Sequence, residues 1–214
     1  MKLRIAGLLA TLTLSGCGSL LESGLPADQA YVLRPPAREA TTPVNTSPAG
    51  SVLLQRPQAG PGLDSDRIVL LRSDSRFDFY AASRWAAPAP DMVGSFIVDG
   101  LRASGAFAAV FDDSSPYAPN YNLRCTLRRF ESDYTKGGGA PTVFVALDCT
   151  LGRHRDRELL ASFTAQGSAV ARADRVSDVV AAFDVATTAA VSELEKQTAA
   201  AVANEPRDQI SSPK

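Results

Sequence analysis

The sequence is poor in the residues that most often carry catalysis or bind metals. Its 214 residues include three cysteines, one histidine and one tryptophan, and the formal net charge is −1. Lys and Arg are spread along the chain, so there is no basic stripe suited to nucleic acid. The single histidine, His154, has no cysteine near it in the sequence, which leaves too few soft ligands for a typical zinc site. We therefore predict no nucleic-acid partner, no metal and no cofactor.

The sequence also lacks a hydrophobic run of the length that a membrane-spanning helix needs, about 20 residues. The apolar run "IAGLLATLTL" near the N-terminus is shorter than this, and it follows two positive charges in residues 1–4. A short apolar run behind a positively charged start is typical of a secretory signal. The sequence therefore predicts export of the chain rather than a permanent transmembrane helix.

Residues 14–17, "LSGC", resemble the bacterial lipobox. This resemblance implies that residues 1–16 are a lipoprotein signal peptide, that cleavage occurs before Cys17, and that Cys17 is acylated with fatty acids such as palmitate. An acylated cysteine with several chains is a stable membrane anchor. The alternative is an ordinary secretory signal with an incidental cysteine. Gly18 stands where an aspartate would favour retention in the inner membrane, so a periplasm-facing position on the outer membrane is favoured.

The exported part of the chain has the composition of one globular domain, with 45% hydrophobic and 21% charged residues overall. We predict a tether over residues 17–30 and a single α/β domain over residues 31–203. Residues 35–50 are rich in Pro, Thr and Ser and are predicted to form a loop. Residues 204–214 have no apolar periodicity and are predicted to be a mobile tail.

The first half of this domain alternates strand and helix patterns. A short strand is predicted over residues 31–36, and "RIVLL" and "FDFYAAS" are predicted to form a hairpin that turns near residues 73–75. An apolar spacing of i, i+3, i+4, preceded by prolines and followed by glycine, predicts a helix over residues 90–104. "AFAAVF" then reads as a returning strand, which would complete a β-α-β unit with a right-handed crossover.

The second half predicts a meander followed by one long helix. "YNLRCTLRRFESDY", "PTVFVALDCTL" and "ELLASFTAQGSAVAR" are strand candidates within residues 120–172, joined by two turn-like segments. The closing helix is predicted to begin near Ser177 as its N-cap. These elements predict a two-layer α/β sandwich, in which two amphipathic helices pack on a mixed, mainly antiparallel sheet of about six or seven strands.

Cys125 and Cys149 are equidistant in sequence from Gly137 in the glycine-rich turn between the first two long strands. In a near-symmetric hairpin they would face each other or be offset by one pair, and they share a strand face. A disulfide formed in an oxidising periplasm is one interpretation. Two buried thiols that pack as small apolar side chains are the other.

No set of residues suggests catalysis. His154 lies in the charged turn "RHRDR" and reads as a surface residue rather than a general base. Asp112 and Asp113 suggest an acid pair or a cation site, but no second cluster of oxygen ligands follows, so an exposed loop is the better interpretation. We predict that the protein is not an enzyme.

Residues 61–111 carry a series of short motifs in a recognisable order. In order, these are Arg67 with Ile68, Tyr80, Arg84-Trp85-Ala86 with Pro88, and Phe107 with Val110. A further pair, Tyr31 with Leu33, lies ahead of this stretch. Together with the lipobox, this order resembles the ABC-type transport auxiliary lipoprotein family. The resemblance continues more weakly to the closing helix around Phe183. Residues 87–89, "APA", depart from the more acidic or leucine-containing segment of many relatives.

This resemblance implies an accessory lipoprotein of an ABC transport system that contains mammalian-cell-entry-type proteins. Such systems move phospholipids or other hydrophobic molecules across the Gram-negative envelope. The accessory protein would dock or hold the periplasmic component at a membrane and would have no ATPase of its own. A stand-alone lipid-binding envelope lipoprotein is the alternative function, and it would need an apolar cavity between helix and sheet.

Arg84 and Trp85 are the candidate partner-binding residues. Trp85 has two interpretations. In the first it packs in the core beneath the following helix, and in the second it is an exposed aromatic anchor for a partner or a lipid.

Overall fold

One mixed sheet of nine strands carries two helices packed side by side on one face. The structure is a computed structural model, and it describes residues 28–35, 48–137 and 139–205. In chain order the elements are β1 (Gln29–Tyr31), β2 (Ala49–Leu54), β3 (Gln58–Ala59), β4 (Arg67–Leu71), β5 (Phe77–Trp85), α1 (Ala89–Ser104), β6 (Phe107–Phe111), β7 (Tyr121–Asp133), β8 (Thr142–Arg153), β9 (Leu159–Val170) and α2 (Val176–Ala203).

The long strand β7 lies at the centre of the sheet. Antiparallel β8 pairs with it from end to end, and β9 pairs with β8, so the predicted meander is confirmed. Because β8 fills one edge of β7, the three strands β2, β3 and β4 share the other edge, each in parallel register. Beyond them β6 pairs with β2, while β5 and then β1 extend the sheet from β4.

The predicted class, a mixed sheet with two amphipathic helices, is confirmed, but two topological details of the prediction are wrong. The sheet has nine strands rather than six or seven, since β1 and β3 are three and two residues long and carry almost no pattern. The predicted hairpin of β4 and β5 is present and reverses the chain. As a result β5 runs antiparallel to β6, and α1 crosses the sheet without forming a β-α-β unit.

Helix α1 begins and ends where its sequence predicts. Pro88 precedes its first residue, and Gly105 ends it in the left-handed conformation at φ 65°. The buried stripe includes Val93, Ile97 and Leu101. This stripe faces the core, whereas the flanks of the helix line surface pockets.

Helix α2 packs very closely on the sheet through small residues. A Cβ atom at Gly167 of β9 would overlap the backbone of Ala186 and Ala190, so only glycine permits this approach. The predicted N-cap, Ser177, is wrong. The cap is Arg175 in an extended conformation, and its guanidinium hydrogen-bonds Asp178 at 2.8 Å in the first turn.

The described part of the chain reaches beyond the predicted domain end. Glu205, which the prediction assigned to the tail, is buried and hydrogen-bonded. Ala49 and Gly50, which the prediction assigned to the loop over residues 35–50, belong to β2. The signal peptide, Cys17, most of the tether, residues 36–47 and residues 206–214 lie outside the described residues. β1 ends at Tyr31, where the predicted first strand would begin.

Candidate functional site

Residues 84–88, here called the RWAAP corner, link the end of β5 to the start of α1. Three backbone hydrogen bonds from amide to carbonyl hold the corner to neighbouring segments: Trp85 to Asp66 at 2.7 Å, Ala86 to Tyr31 at 2.7 Å and Ala89 to Ser65 at 3.0 Å. The corner is therefore fixed at once by the β3–β4 loop and by β1. Its conformation places the first turn of α1 against the sheet.

The side chain of Trp85 lies in the core. It is 0% exposed, and its ring centroid is 5.5 Å from that of Phe130 and 5.1 Å from that of Phe183. The first aromatic contact joins it to β7 and the second to α2. This placement contradicts the interpretation of Trp85 as an exposed anchor, because a partner cannot reach the indole while the domain is folded. Trp85 instead positions the residues around it.

Arg84 is the charged residue of the corner, and its side chain is exposed. This side chain is about half exposed, and its guanidinium lies 3.2 Å from the carboxylate of Asp66. A surface ion pair of this kind contributes at most about 1 kcal/mol, so Arg84 can exchange Asp66 for another partner at small cost. The structure thus separates the two predicted residues, one into the core and one onto the surface.

A shallow apolar groove runs beside the corner. We call it the α1 groove; its volume is about 280 Å³, and its apolar lining includes Val32, Leu33, Pro35, Ala86, Met92 and Phe96. One wall is the segment that follows β1, and the other is the first half of α1. The backbone amide of Arg34 donates to Asp184 of α2 at 2.8 Å, which fixes the first wall in place.

A smaller pocket of about 140 Å³ continues the α1 groove between the two helices. Pro35, Phe96 and Asp99 line both, so the apolar surface is continuous from the RWAAP corner to α2. Between the helices and the sheet, in contrast, the described residues form one packed cluster of buried side chains.

On the other side of α1 lies a pocket of about 450 Å³ whose lining includes several charged side chains. Arg56 hydrogen-bonds Asp91 at 2.5 Å and Asp64 at 3.0 Å, and its backbone amide donates to Asp113. The hydrogen bond to Asp91 is the main cause of the raised pKa of the Arg56 guanidinium. These contacts tie the segment between β2 and β3 to the first turn of α1.

Asp112 and Asp113, the candidate acid pair, do not form a metal centre with neighbours. Asp112 accepts hydrogen bonds from the backbone and side chain of Ser114, and the side-chain bond is the main reason that its pKa is lowered. Within the described residues, no group of three or more His, Cys, Asp or Glu side chains is placed to hold a metal ion.

His154 lies in the exposed turn between β8 and β9, where its Nδ1 is 3.0 Å from the amide nitrogen of Asn122. Beside it Arg153 is buried and hydrogen-bonds Glu205, whose other carboxylate oxygen accepts from the hydroxyl of Tyr121 at 2.7 Å. Burial raises the pKa of Tyr121, and Glu205 raises it further. The cluster fastens the end of α2 to β7 and β8, which is a structural role.

Cys125 and Cys149 stand directly opposite each other on β7 and β8, on the face that the helices cover. Their sulfur atoms are 2.10 Å apart and their Cα atoms 4.1 Å apart, which is the arrangement of a disulfide. The predicted register is therefore the one that the strand pair adopts. Cys17, the predicted lipidation site, lies outside the described residues, and within them no helix is long and apolar enough to span a membrane.

Comparison with known proteins identifies the family. A model described as "ABC-type transport auxiliary lipoprotein component" matches residues 31–195, which is most of the chain. The chain belongs to this family. No curated protein has a significant match to it.

Two solved structures share the fold of this auxiliary lipoprotein over most of their length. Protein XCC0632 from Xanthomonas campestris is 28% identical, with a TM-score of 0.66, and the match covers 82% of this chain and 94% of that one. An uncharacterised protein is 13% identical, with a TM-score of 0.62, and covers 80% and 98% of the two chains. A protein from Caulobacter crescentus CB15 is 17% identical, with a TM-score of 0.38, and the match covers 53% of this chain and 85% of that one.

The family match gives the auxiliary lipoprotein a place at an envelope membrane and a role in ABC-type transport. The matched residues, 31–195, include the whole RWAAP corner and all residues that line the α1 groove. The groove was not predicted from the sequence, although one signal was present. Met92 lies next to the buried stripe of α1 and is only partly buried, and an apolar residue beside such a stripe indicates contact with something other than the core.

Proposed function

We propose that this auxiliary lipoprotein is anchored through Cys17 and holds a mammalian-cell-entry-type protein of an ABC transporter. That transporter would move phospholipids or other hydrophobic molecules across the Gram-negative envelope. The observation that carries the proposal is the family match over residues 31–195, behind an N-terminal sequence that ends in a lipobox. The role is to dock a partner and not to catalyse a reaction.

The position of the α1 groove supports its use as the partner contact. Cys17 precedes Asp28, the first described residue, by eleven positions. Eleven extended residues span at most about 40 Å, so an anchor at Cys17 keeps β1 near the lipid surface. The groove wall of Val32, Leu33 and Pro35 follows β1 directly. A partner bound there is therefore held close to the membrane.

The groove and Arg84 fit a partner surface that combines apolar side chains with a carboxylate. Val32 is about half exposed and offers apolar area at the rim, and Arg84 already binds one carboxylate, that of Asp66. Arg84 does not line the groove, but it precedes Ala86, one of the lining residues, by two positions. Exposed apolar surface is typical of docking sites, and a charged residue at the rim of such a site can add a polar contact.

A matched pair of charge reversals tests the contact. Arg84→Glu is compared with Arg128→Glu, because both arginines are exposed and pair with an aspartate, at 3.2 and 3.4 Å, but Arg128 lies on β7 away from the groove. The measurement is the amount of the mammalian-cell-entry-type protein that co-purifies with each variant. We expect Arg84→Glu, and likewise Val32→Glu, to reduce this amount by about tenfold or more. Arg128→Glu should leave it unchanged. Equal recovery with all three variants would contradict the use of the groove.

The anchor and the cargo are tested separately. Cys17→Ser should release the protein from the membrane fraction, and mass spectrometry of the wild-type N-terminal peptide should find acyl chains on Cys17. Separation of inner and outer membranes on a density gradient should place the wild-type protein in the outer membrane. Lipid that co-purifies with the chain while no transporter component does would favour the stand-alone lipid-binding function instead.

A further inference from the structure

Four arginines and the single histidine line one pocket at the start of β7 and the end of β8. The pocket has a volume of about 880 Å³, and its charged lining consists of Arg124, Arg153, His154, Arg155 and Arg157. No aspartate or glutamate is among the described residues that line it. The turn motif "RHRDR" supplies four of these five side chains, and β7 supplies the other one. The volume is in the range of ligand-binding clefts.

The pairing of β7, β8 and β9 forms the floor of this pocket. Arg124 and Thr150 are cross-strand partners next to the two disulfide cysteines, so their side chains point away from the helices. In the next row on the same face, Gly152 lies between Asn122 and Leu159. Because glycine has no side chain, this row leaves a gap in the outer face of the sheet.

The arginines on this face differ in how their charge is balanced. Arg128 of β7 lies 3.4 Å from the carboxylate of Asp148 on β8. Arg124 lies opposite Thr150 instead. Within residues 28–35, 48–137 and 139–205, neither Arg124 nor Arg157 has a carboxylate at ion-pair distance. Positive charge is therefore left without a paired carboxylate where the pocket lies.

The two carboxylates of the turn after β8 are bound by a different arginine. Asp156 and Glu158 each accept a hydrogen bond from Nη1 of the buried Arg153 at 2.7 Å. Arg153 also binds Glu205, so it holds three carboxylates. These acidic side chains thus turn to Arg153 and do not line the pocket.

Arg157 has a backbone conformation that suits few residues. Its φ is 61°, in the left-handed region that glycine adopts without steric cost. Residues held in such conformations cluster at functional sites. The backbone of this turn favours glycine, whereas the arginine that occupies the position supplies a guanidinium to the pocket.

The ring of His154 adds a hydrogen-bond donor. Its Nδ1 is 3.0 Å from the amide nitrogen of Asn122. With that nitrogen as the donor, Nδ1 accepts, and the ring hydrogen lies on Nε2. Nε2, the guanidinium groups and the hydroxyl of Thr150 can therefore all donate to the oxygens of one bound anion.

We propose that this pocket binds the headgroup phosphate of an anionic phospholipid. Guanidinium groups bind phosphate oxygens through paired, charge-assisted hydrogen bonds, which makes arginine well suited to phosphate recognition. Leu159 lines the same pocket and is 63% exposed, so apolar surface lies beside the cationic groups. This combination fits an amphiphile better than free phosphate. The site lies on the opposite face of the sheet from the α1 groove, so it does not depend on the partner contact proposed there.

The single histidine makes the pocket directly observable by NMR. The full-length lipoprotein, in a neutral detergent and without a histidine tag, has one imidazole, that of His154. We expect phosphatidylglycerol added to the micelles to shift the ring signal until it saturates. Phosphatidylcholine with the same acyl chains should leave the signal unchanged. Inorganic phosphate should need about tenfold or more concentration for the same shift, because it makes no apolar contact with Leu159.

A matched pair of double variants separates the pocket from a general effect of charge. Arg124→Gln with Arg157→Gln removes the two cations that lack a paired carboxylate. Arg72→Gln with Arg128→Gln, the control, removes two exposed arginines that pair with aspartates outside the pocket, so the net charge changes equally. We expect the pocket variant to weaken phosphatidylglycerol binding by about tenfold or more and the control to leave it unchanged. A melting curve confirms that each variant is folded.

The outcomes decide the proposal. A saturable shift with phosphatidylglycerol that the pocket variant weakens and the control variant does not would support it. No shift, an equal shift with phosphatidylcholine, or equal weakening by both double variants would overturn it. Inorganic phosphate that binds as tightly as phosphatidylglycerol would also overturn it, because the pocket would then have no preference for a lipid.

Discussion

The two edges of β7 are filled in different ways. On one edge a single partner, β8, pairs without a gap from Tyr121 to Asp133 apart from one bulge near Leu127. On the other edge three short strands, β2, β3 and β4, follow one another in parallel. The first edge is stabilised by local pairing. The second depends on packing between distant parts of the chain, and it is the side that carries the RWAAP corner and the α1 groove.

This difference places the locally paired strands on one side of β7 and the proposed partner contact on the other. The meander of β7, β8 and β9 needs only short turns to form. Pairing of β2, β3 and β4 with β7 closes longer loops, and this costs more conformational entropy. The RWAAP corner compensates by joining β5, β1 and the β3–β4 loop at one point. Variants near the RWAAP corner and variants in the meander should therefore lose stability for different physical reasons.

Trp85→Ala should have the largest effect, because it removes the ring that joins β5 to β7 and α2. We expect a loss of about 3–5 kcal/mol in the free energy of unfolding, measured by urea denaturation. Arg84→Ala, one residue away but on the surface, should cost less than about 1 kcal/mol. Similar losses for the two variants would contradict the separation of core and surface at this corner.

Removal of the disulfide tests the meander side. Replacing both Cys125 and Cys149 by alanine should lower the free energy of unfolding by about 2–4 kcal/mol, chiefly through a less constrained unfolded chain. Thiol titration of the denatured, non-reduced Cys17→Ser protein should find no free thiol. Two titratable thiols would show that the bond is absent in the protein.

Gly167→Ala tests the close contact of α2 with the meander. Its Cβ would collide with the backbone of Ala186, so helix and strand must separate. The expected loss is about 1–3 kcal/mol in thermal or urea unfolding. Ser168→Ala, the next residue on the opposite face, should change stability by less than about 0.5 kcal/mol. Equal effects would mean that α2 does not rest on the strand as described.

Glu131→Gln should give the smallest effect, visible as a pH dependence. Burial raises the pKa of Glu131 in the folded protein, although Arg129 at 2.6 Å opposes this. The folded state then holds the proton after the unfolded state has released it near pH 4.3, so this residue lowers stability as pH rises from about 4.3 through its folded pKa. The stability of the glutamine variant relative to wild type should increase over that window. A constant difference between pH 4 and 7 would contradict it.

The parts of the fold that sequence patterns predicted are those set by neighbours in the chain. The alternation of Leu123, Cys125 and Leu127 defines the buried face of β7 without reference to any other strand. Helix α1 likewise carries its own start and stop signals. The position of β6 was not predictable in this way, because it depends on which strands lie between it and β5.

The candidate site was predicted in part. The RWAAP motif identified the segment correctly, but a motif does not show whether the tryptophan side chain points to the core or to solvent. Its side is decided by Phe130 and Phe183, which lie 45 and 98 residues further along the chain. The buried Glu205 was missed for a similar reason, since its partners Tyr121 and Arg153 are far from it in sequence.

The parallel pairing of β1 with β5 has a mechanical consequence. If Cys17 is held in a membrane, any tension between membrane and domain enters the fold along β1. Gln29, Ala30 and Tyr31 run alongside Ser83, Arg84 and Trp85, so a pull along the strand loads all of these hydrogen bonds together in shear. The bond from Arg34 to Asp184 passes part of the same load to α2. If the anchor and the partner contact are as proposed, the short first strand would carry the force between them.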